Sequence, residues 1–412
     1  MKRRLGIVVG GGPAPGINGV ISSATIAAVN SGFEVIGIYD GFKWLSRGDT
    51  RHVRHLTIAD VSRIHFTGGS ILSTSRENPM DVPEGMQRIV QAVKKLGITH
   101  LMTIGGEGTA SLAARLGQVA GRALRLVHVP KTIDNDIPLP GATSTFGFQT
   151  ARHVGTYLVQ NLMEDARTTN RWYLVVTMGR RSGFLASGIC FASGATLAVI
   201  PEEFSGKVTL ARVVDVLEAA VIKRKWLGRS DGVAILAEGL AMRIAKDRAD
   251  LQNTQPDEFG HLKLPELDFG RAVKEELERR LARAGQKITL IAKDIGYELR
   301  SCNPIPFDVD YTRRLGYGAV GRLISGEDRV IICFKGGAMA PVRFADILDR
   351  KTGRVRVRHV DIHSEYYQAA TSYMIRLKHE DLRNPETLAG LAKTAGLSPR
   401  EFLTRFQKIA VD

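Results

Sequence analysis

Short, fully apolar runs alternate with longer amphipathic stretches along most of this chain. The apolar runs are rich in β-branched residues and predict buried strands over 5–9, 33–39, 100–104, 124–129, 171–177, 196–200, 232–237, 288–295 and 329–334. Between them, apolar positions recurring every three or four residues predict helices over 17–29, 84–96, 184–193, 210–225, 271–283 and 311–325, and one from about 110. Residues 245–261 are polar and break the alternation as a surface excursion. The C-terminal end is helical, and its last helix opens on Ser398-Pro399-Arg400-Glu401, an N-cap, a first-turn proline and a capping-box acid. Strand and helix in regular alternation predict an α/β protein with mostly parallel sheets.

Length sharpens this to about two or three domains, taking ~150 residues per domain for a chain of 412. No apolar run reaches the roughly 18 residues of a membrane-spanning helix. The basic start, Met1 to Gly10, runs into a glycine turn and reads as a first strand rather than a signal peptide. Cys190, Cys302 and Cys333 have neither metal nor disulfide spacing, which fits a reducing cytoplasm. The net charge is +15, but Lys and Arg are scattered among acids. Even the densest basic run, 350–358, alternates with valine as an exposed strand does. Such a field gathers small polyanions and argues against a nucleic-acid partner.

Candidate chemistry falls at the ends of the strands, where open α/β sheets bind ligands. Gly10-Gly11-Gly12-Pro13-Ala14-Pro15-Gly16 joins the first strand to the first helix, a geometry suited to phosphate. A glycine-and-hydroxyl loop over 67–75 ends in Arg76, and Gly105-Gly106-Glu107-Gly108-Thr109 repeats the strand, glycine loop and helix arrangement. Glu107 is an acid among amides that favour anions, which a shared Mg²⁺ would explain. Pro130-Lys131-Thr132-Ile133-Asp134-Asn135-Asp136 brings two carboxylates, a threonine and a lysine to one strand end. One carboxylate can take a proton from a hydroxyl while the other stands near a metal. Polar residues also end later strands, at Met178-Gly179-Arg180, Pro201-Glu202, Glu238-Gly239 and Tyr297-Glu298-Leu299-Arg300.

In order and spacing, these motifs resemble the phosphofructokinases from residue 5 to about 337. The resemblance implies two Rossmann-like three-layer domains with the active site in the cleft between them, and a helical C-terminal extension. It implies a phosphoryl-donor domain over 1–147 and 299–340, a sugar-phosphate domain over 148–298 and 341–375, and an extension over 376–412. It implies phosphorylation of the 1-hydroxyl of fructose 6-phosphate, a step of glycolysis, in a cytoplasmic homo-oligomer, dimer or tetramer, with shared active sites. Carried over residue by residue, Asp134 matches the general base, Asp136 and Glu107 the acids around Mg²⁺, and Arg180 and Thr132 the groups holding the transferred phosphoryl. Gly11, Gly12, Arg76, Gly106, Gly108, Thr109 and Lys131 match the donor site. Arg171, Met178, Gly179, Glu238, Lys293, Tyr297 and Arg300 match the sugar-phosphate site, with Arg171 and Lys293 donated by a neighbouring subunit.

Two positions disagree about the donor. Gly108 replaces an aspartate usual in pyrophosphate users and leaves room for a nucleotide, whereas Lys131 is typical of pyrophosphate users. With sterics given the greater weight, ATP is the expected donor and pyrophosphate the alternative. Ser22 and Ile26 occupy the places of effector-binding arginines on the first helix, so control through that site is expected to be weak. NAD kinases and diacylglycerol kinases share the 105–109 pattern but lack the elements at 178–180 and 297–300. A non-catalytic basic binding protein would have lost its carboxylates, and Asp134 and Asp136 are both present.

Overall fold

In a computed structural model the chain is described over residues 3–206, 208–244 and 268–411. The excursion expected over 245–261 lies outside the described residues. The strands are β1 (Arg4–Val9), β2 (Glu34–Ile38), β3 (Val53–Leu56), β4 (His100–Gly105), β5 (Arg125–Thr132), β6 (Phe146–Gly147), β7 (Arg171–Thr177), β8 (Leu197–Val199), β9 (Gly232–Ala237), β10 (Thr289–Ile295), β11 (Val330–Ile331), β12 (Phe334–Lys335), β13 (Ala338–Met339) and β14 (Val342–Arg343). They fall into two compact units: residues 3–151 with Tyr297–Arg358, and residues 152–244, 268–296 and 359–411.

The first unit holds a sheet in the order β14-β11-β5-β4-β1-β2-β3, with β6 added beside the end of β5. Its centre is parallel, and only the edge pairs β2–β3 and β11–β14 are antiparallel. Alternation along β1 explains the layers. Leu5, Ile7 and Val9 pack under the helices Ile17–Asn30 and Pro306–Ser325, while Val8 points to the opposite face, covered by Gly85–Lys95 and Glu107–Ala120. Both faces are buried, so the central strands are apolar throughout.

The second unit has an all-parallel sheet in the order β10-β7-β9-β8. The C-terminal helices Pro385–Ala395 and Pro399–Phe406 dock on the helix Leu210–Trp226 through Leu391, Ala392, Phe402 and Phe406 against Ala219 and Ile222. Buried Glu218 accepts from Arg405 at 2.6 Å and Arg280 at 3.5 Å, tying three helices together.

Several sequence expectations change. Residues 376–411 belong to the second unit instead of standing apart, and 341–358 join the first, because β14 pairs with β11. The run over 350–358 forms no strand beyond an isolated Leu348–Val355 bridge. The strand expected over 329–334 divides into β11 and β12. The longest helix, Phe148–Thr169, has no counterpart in the sequence reading. Its first amides, Gly147 N at 2.9 Å and Thr150 N at 2.8 Å, donate to the Asp308 carboxylate, a cap supplied from far along the chain. No described helix is long and apolar enough to cross a membrane.

Candidate active site

In the first unit, parallel register brings the carboxyl ends of β1, β4 and β5 side by side, with Val9 opposite Ile104 and Gly105 opposite Pro130. The glycine turn that follows β1 is fixed by its own backbone. Gly10 N donates to Ile104 O and Gly11 N to Ser75 O, each at 2.9 Å, and Thr74 Oγ1 donates to Gly11 O at 2.6 Å. The amides of Gly10 and Gly11 are therefore engaged in folding.

Cationic side chains gather at the same turn. β5 extends past its expected end at 129 and carries Lys131 and Thr132 on the strand itself. Lys131 is buried, and its ammonium donates to Gly12 O. A Cβ on Gly12 would stand 3.3 Å from Arg76 Nη2 and 3.4 Å from Arg300 Nη1; one on Gly11, which has φ +82°, would stand 3.3 Å from Lys131 Nζ. Glycine thus lets three cations converge on the turn. Burial pushes Lys131 down to about 8, the Arg76 and Arg300 charges push the same way, and Asp134 and Asp136 oppose them. That balance also locates the two carboxylates within the electrostatic reach of the ammonium. Arg300 stacks over Tyr297, 4.5 Å from its ring centre, and the tyrosine is largely exposed.

The 132–136 turn is tightly pinned. Thr132 Oγ1 accepts from Asp134 N at 3.0 Å, and Asn135 adopts a left-handed conformation with φ 56°. Asn135 Oδ1 accepts from Thr145 N at 3.1 Å, while Thr145 Oγ1 donates to Thr132 O at 2.8 Å. Arg358 closes the turn from the other side: its N donates to Asp136 O at 2.7 Å and its Nη1 to Thr143 O at 3.0 Å. Beneath, His128 is fully buried between Thr103 Oγ1 and Gly105 O, and burial pushes it down to about 3, so it stays neutral. Asn135, Thr145 and Arg358 were not singled out from the sequence; an Asx residue between two acids was the one local signal.

The Gly105-to-Thr109 motif is shorter as a loop than expected, because the helix begins at Glu107 and not near 110. An acid in a helix's first turn is favoured by the helix dipole alone, so Glu107 does not by itself require a cation. Gly106 lies against β5, where an added Cβ would be 3.4 Å from Lys131 O, and Gly108 falls in the helical first turn. Thr109 is buried against Gly10 and Gly105, where added Cβ atoms would come within 2.5 and 2.3 Å of its side chain. It acts as packing under the turn. Mg²⁺ in phosphoryl-transfer sites takes one or two carboxylates and completes its shell with phosphate oxygens and water. Asp136 and Glu107 fit that mode. Among the described residues, no group of three or more His, Cys, Asp or Glu side chains is assembled to hold a metal alone.

In the second unit, Met178, Gly179, Arg180 and Glu238 come together beyond β7 and β9. Met178 N donates to Ile295 O at 3.4 Å, Glu238 N to Thr177 O at 3.0 Å, and Gly179 N to Glu238 Oε1 at 3.2 Å. Arg171 and Lys293, expected to serve a neighbouring subunit, stand apart from this cluster. Arg171 starts β7, about 20 Å from its far end at ~3.3 Å per residue. Its Nε lies 3.9 Å from Asp165 Oδ2. Lys293 lies exposed along the edge strand β10, opposite Val175. In the first unit, Ser22 is buried within its helix and Ile26 half-buried.

Comparison with known proteins sets this geometry in context. The family model described as Phosphofructokinase matches residues 4–323. A pyrophosphate–fructose 6-phosphate 1-phosphotransferase of Thermotoga maritima is 52% identical over 98% of both chains. One of the same name from Naegleria fowleri is 45% identical over 98% of this chain and 95% of its own. An ATP-dependent 6-phosphofructokinase of Chloroflexus aurantiacus is 33% identical over 84% of this chain and 91% of its own. The fold is shared with the phosphofructokinase of Saccharomyces cerevisiae (TM-score 0.67, 21% identity, 84% of this chain), of which this chain spans 45%. It is also shared with a pyrophosphate-dependent phosphofructokinase from Marinobacter aquaeolei (TM-score 0.64, 15% identity, 90% of each chain).

Proposed function

Since the chain belongs to the phosphofructokinase family, we propose that it transfers a phosphoryl group from pyrophosphate to the 1-hydroxyl of fructose 6-phosphate, yielding fructose 1,6-bisphosphate and orthophosphate. The observation that carries the choice of donor is the buried Lys131 beside Arg76 at the glycine turn. Two cations at one turn suit a compact polyanion, whose charge is concentrated and which needs no pocket for a base. Two relatives named for pyrophosphate support this reading, at 52% and 45% identity against 33% for an ATP-named one. The expectation of ATP from Gly108 yields to this. An open position in a helix's first turn permits a nucleotide, but nothing in it selects one.

The proposed chemistry follows from charge and reach. Asp134 takes the proton as the sugar hydroxyl attacks, a step that needs its carboxylate within hydrogen-bond distance of that oxygen. Lys131, Arg76 and the Thr132 hydroxyl hold the donor, and Arg180 offsets charge on the phosphoryl group in transfer. Mg²⁺, when bound by Asp136 and Glu107, would neutralise donor charge. Glu238, held by the Gly179 amide, accepts from sugar hydroxyls. Tyr297 and Arg300 receive the 6-phosphate, with Met178 and Gly179 framing the sugar, Lys293 a second cation, and Arg171 supplied to a neighbouring subunit in a homo-oligomer.

The test is steady-state turnover of fructose 6-phosphate with each donor at equal Mg²⁺. Turnover with pyrophosphate and little with ATP is expected. The reverse would return the donor to ATP, and no product with either would refute the activity.

A further inference from the structure

Of the arginines in the 350–358 run, one is turned inward. Arg354 and Arg356 are exposed, and Arg356 binds the carbonyls of Asp346 and Ile347. Arg358 is half-buried and burial lowers its pKa, and its guanidinium reaches Thr143 O at 3.0 Å and Asn135 Oδ1 at 3.5 Å. Its own amide donates to Asp136 O at 2.7 Å. These contacts join the residue to two stretches of chain at once. What it fixes is the Asn135 side chain and the 143–145 segment, and through Thr145 the carbonyl of Thr132. Asn135 also sits in the left-handed region, which asparagine adopts more readily than most residues.

We infer that Arg358 is a positioning residue that sets the aim of the Asp134 and Asp136 carboxylates by clamping Asn135 to the 143–145 segment. It touches neither substrate nor metal in this assignment and acts through the turn. The inference rests on the proposed role of Asp134 as base. A shift of the carboxylate by a fraction of an ångström lowers the rate of proton transfer far more than it weakens sugar binding.

The experiment compares Arg358→Ala and Arg358→Lys with Arg356→Ala as a neighbouring control, in the full chain with Mg²⁺. Expected in Arg358→Ala is a fall in kcat of about tenfold or more with KM for fructose 6-phosphate within about twofold. Arg358→Lys keeps a donor and the charge and should fall between it and the wild type, while Arg356→Ala keeps the wild-type kcat. Guanidinium ion added at millimolar concentration should partly restore kcat to Arg358→Ala, which a general loss of stability would not allow. Hydrogen exchange read by mass spectrometry should quicken over 132–145 in both Arg358 variants and stay unchanged over 177–183. If Arg358→Ala fails to fold, Arg358→Lys carries the test through kcat and exchange together. Wild-type kcat or unchanged exchange over 132–145 in a folded variant would overturn the inference. Each ratio is taken with whichever donor the wild type uses, so a wrong donor leaves it intact. If the wild type turns over neither donor, the function reading fails and the exchange result alone decides whether Arg358 holds the turn.

Discussion

A buried lysine placed beside two arginines is charged at a disadvantage. Lys131 is pushed down to about 8 by burial and by its cationic neighbours, so in the free protein it is charged below that pH and increasingly neutral above it. The sign follows: kcat/KM for pyrophosphate should fall as pH rises through about 8, and Lys131→Arg, which stays charged, should remove that limb. Lys131→Met should lower kcat/KM for pyrophosphate by on the order of 10²-fold, as loss of a charge-stabilising donor does. For stability the sign is opposite. The folded chain binds fewer protons than the unfolded one above about pH 8, so this group's contribution to stability rises with pH there. Below pH 8 it carries the cost of a buried charge, and Lys131→Met should raise the melting temperature of the ligand-free protein. An unaltered pH profile in Lys131→Arg would remove the ammonium from the donor site. Asp134→Ser makes a separate demand: turnover should vanish while fructose 6-phosphate binding, followed calorimetrically, stays within a few-fold of the wild type.

Elements differ in how much of them can be read from local sequence. The parallel strands were legible because burial on both faces leaves uninterrupted apolar runs, as in β1 and β9. The last helix was legible because Ser398 and Glu401 form their capping box within four residues. What was not legible depends on partners remote in sequence. Asp308 caps Phe148–Thr169 across 158 residues, so no local signal marks where that helix starts. Arg358 reads as one more surface cation until its contacts with Thr143 and Asp136 are seen. The candidate site follows the same rule: motif residues at strand ends are readable locally, while the groups that hold the turn are not. The C-terminal segment reads as an extension because its attachment is nonlocal too. Phe402 and Phe406 are fully buried against the helix Leu210–Trp226. Phe402→Ala should therefore cost about 3–5 kcal/mol, as a buried aromatic truncation does. A loss under about 1 kcal/mol, measured by urea denaturation, would show the tail to be a loosely attached appendage.

At the scale of the whole molecule, the arrangement of β7 raises the question of how many chains build one site. Its far end carries Met178 to Arg180, held to Glu238, whereas Arg171 stands at its start. A strand about 20 Å long keeps Arg171 out of the cluster that the same strand serves. An arginine side chain spans well under half that length, so under the proposed assignment Arg171 serves a site other than its own strand's. In a symmetric dimer a residue given to the neighbour is received back in kind, because the two contacts are related by the same axis. That reciprocity makes a sharp prediction. Asp134→Ser and Arg171→Ala homo-oligomers should each be nearly inactive, yet subunit exchange between them creates mixed pairs in which one site draws both its Asp134 and its Arg171 from intact copies. Mixing equal amounts under conditions that let subunits exchange should restore roughly a quarter of the wild-type rate. No recovery, with exchange verified by mass spectrometry, would mean that each site is built within one subunit and that Arg171 acts near Asp165 alone.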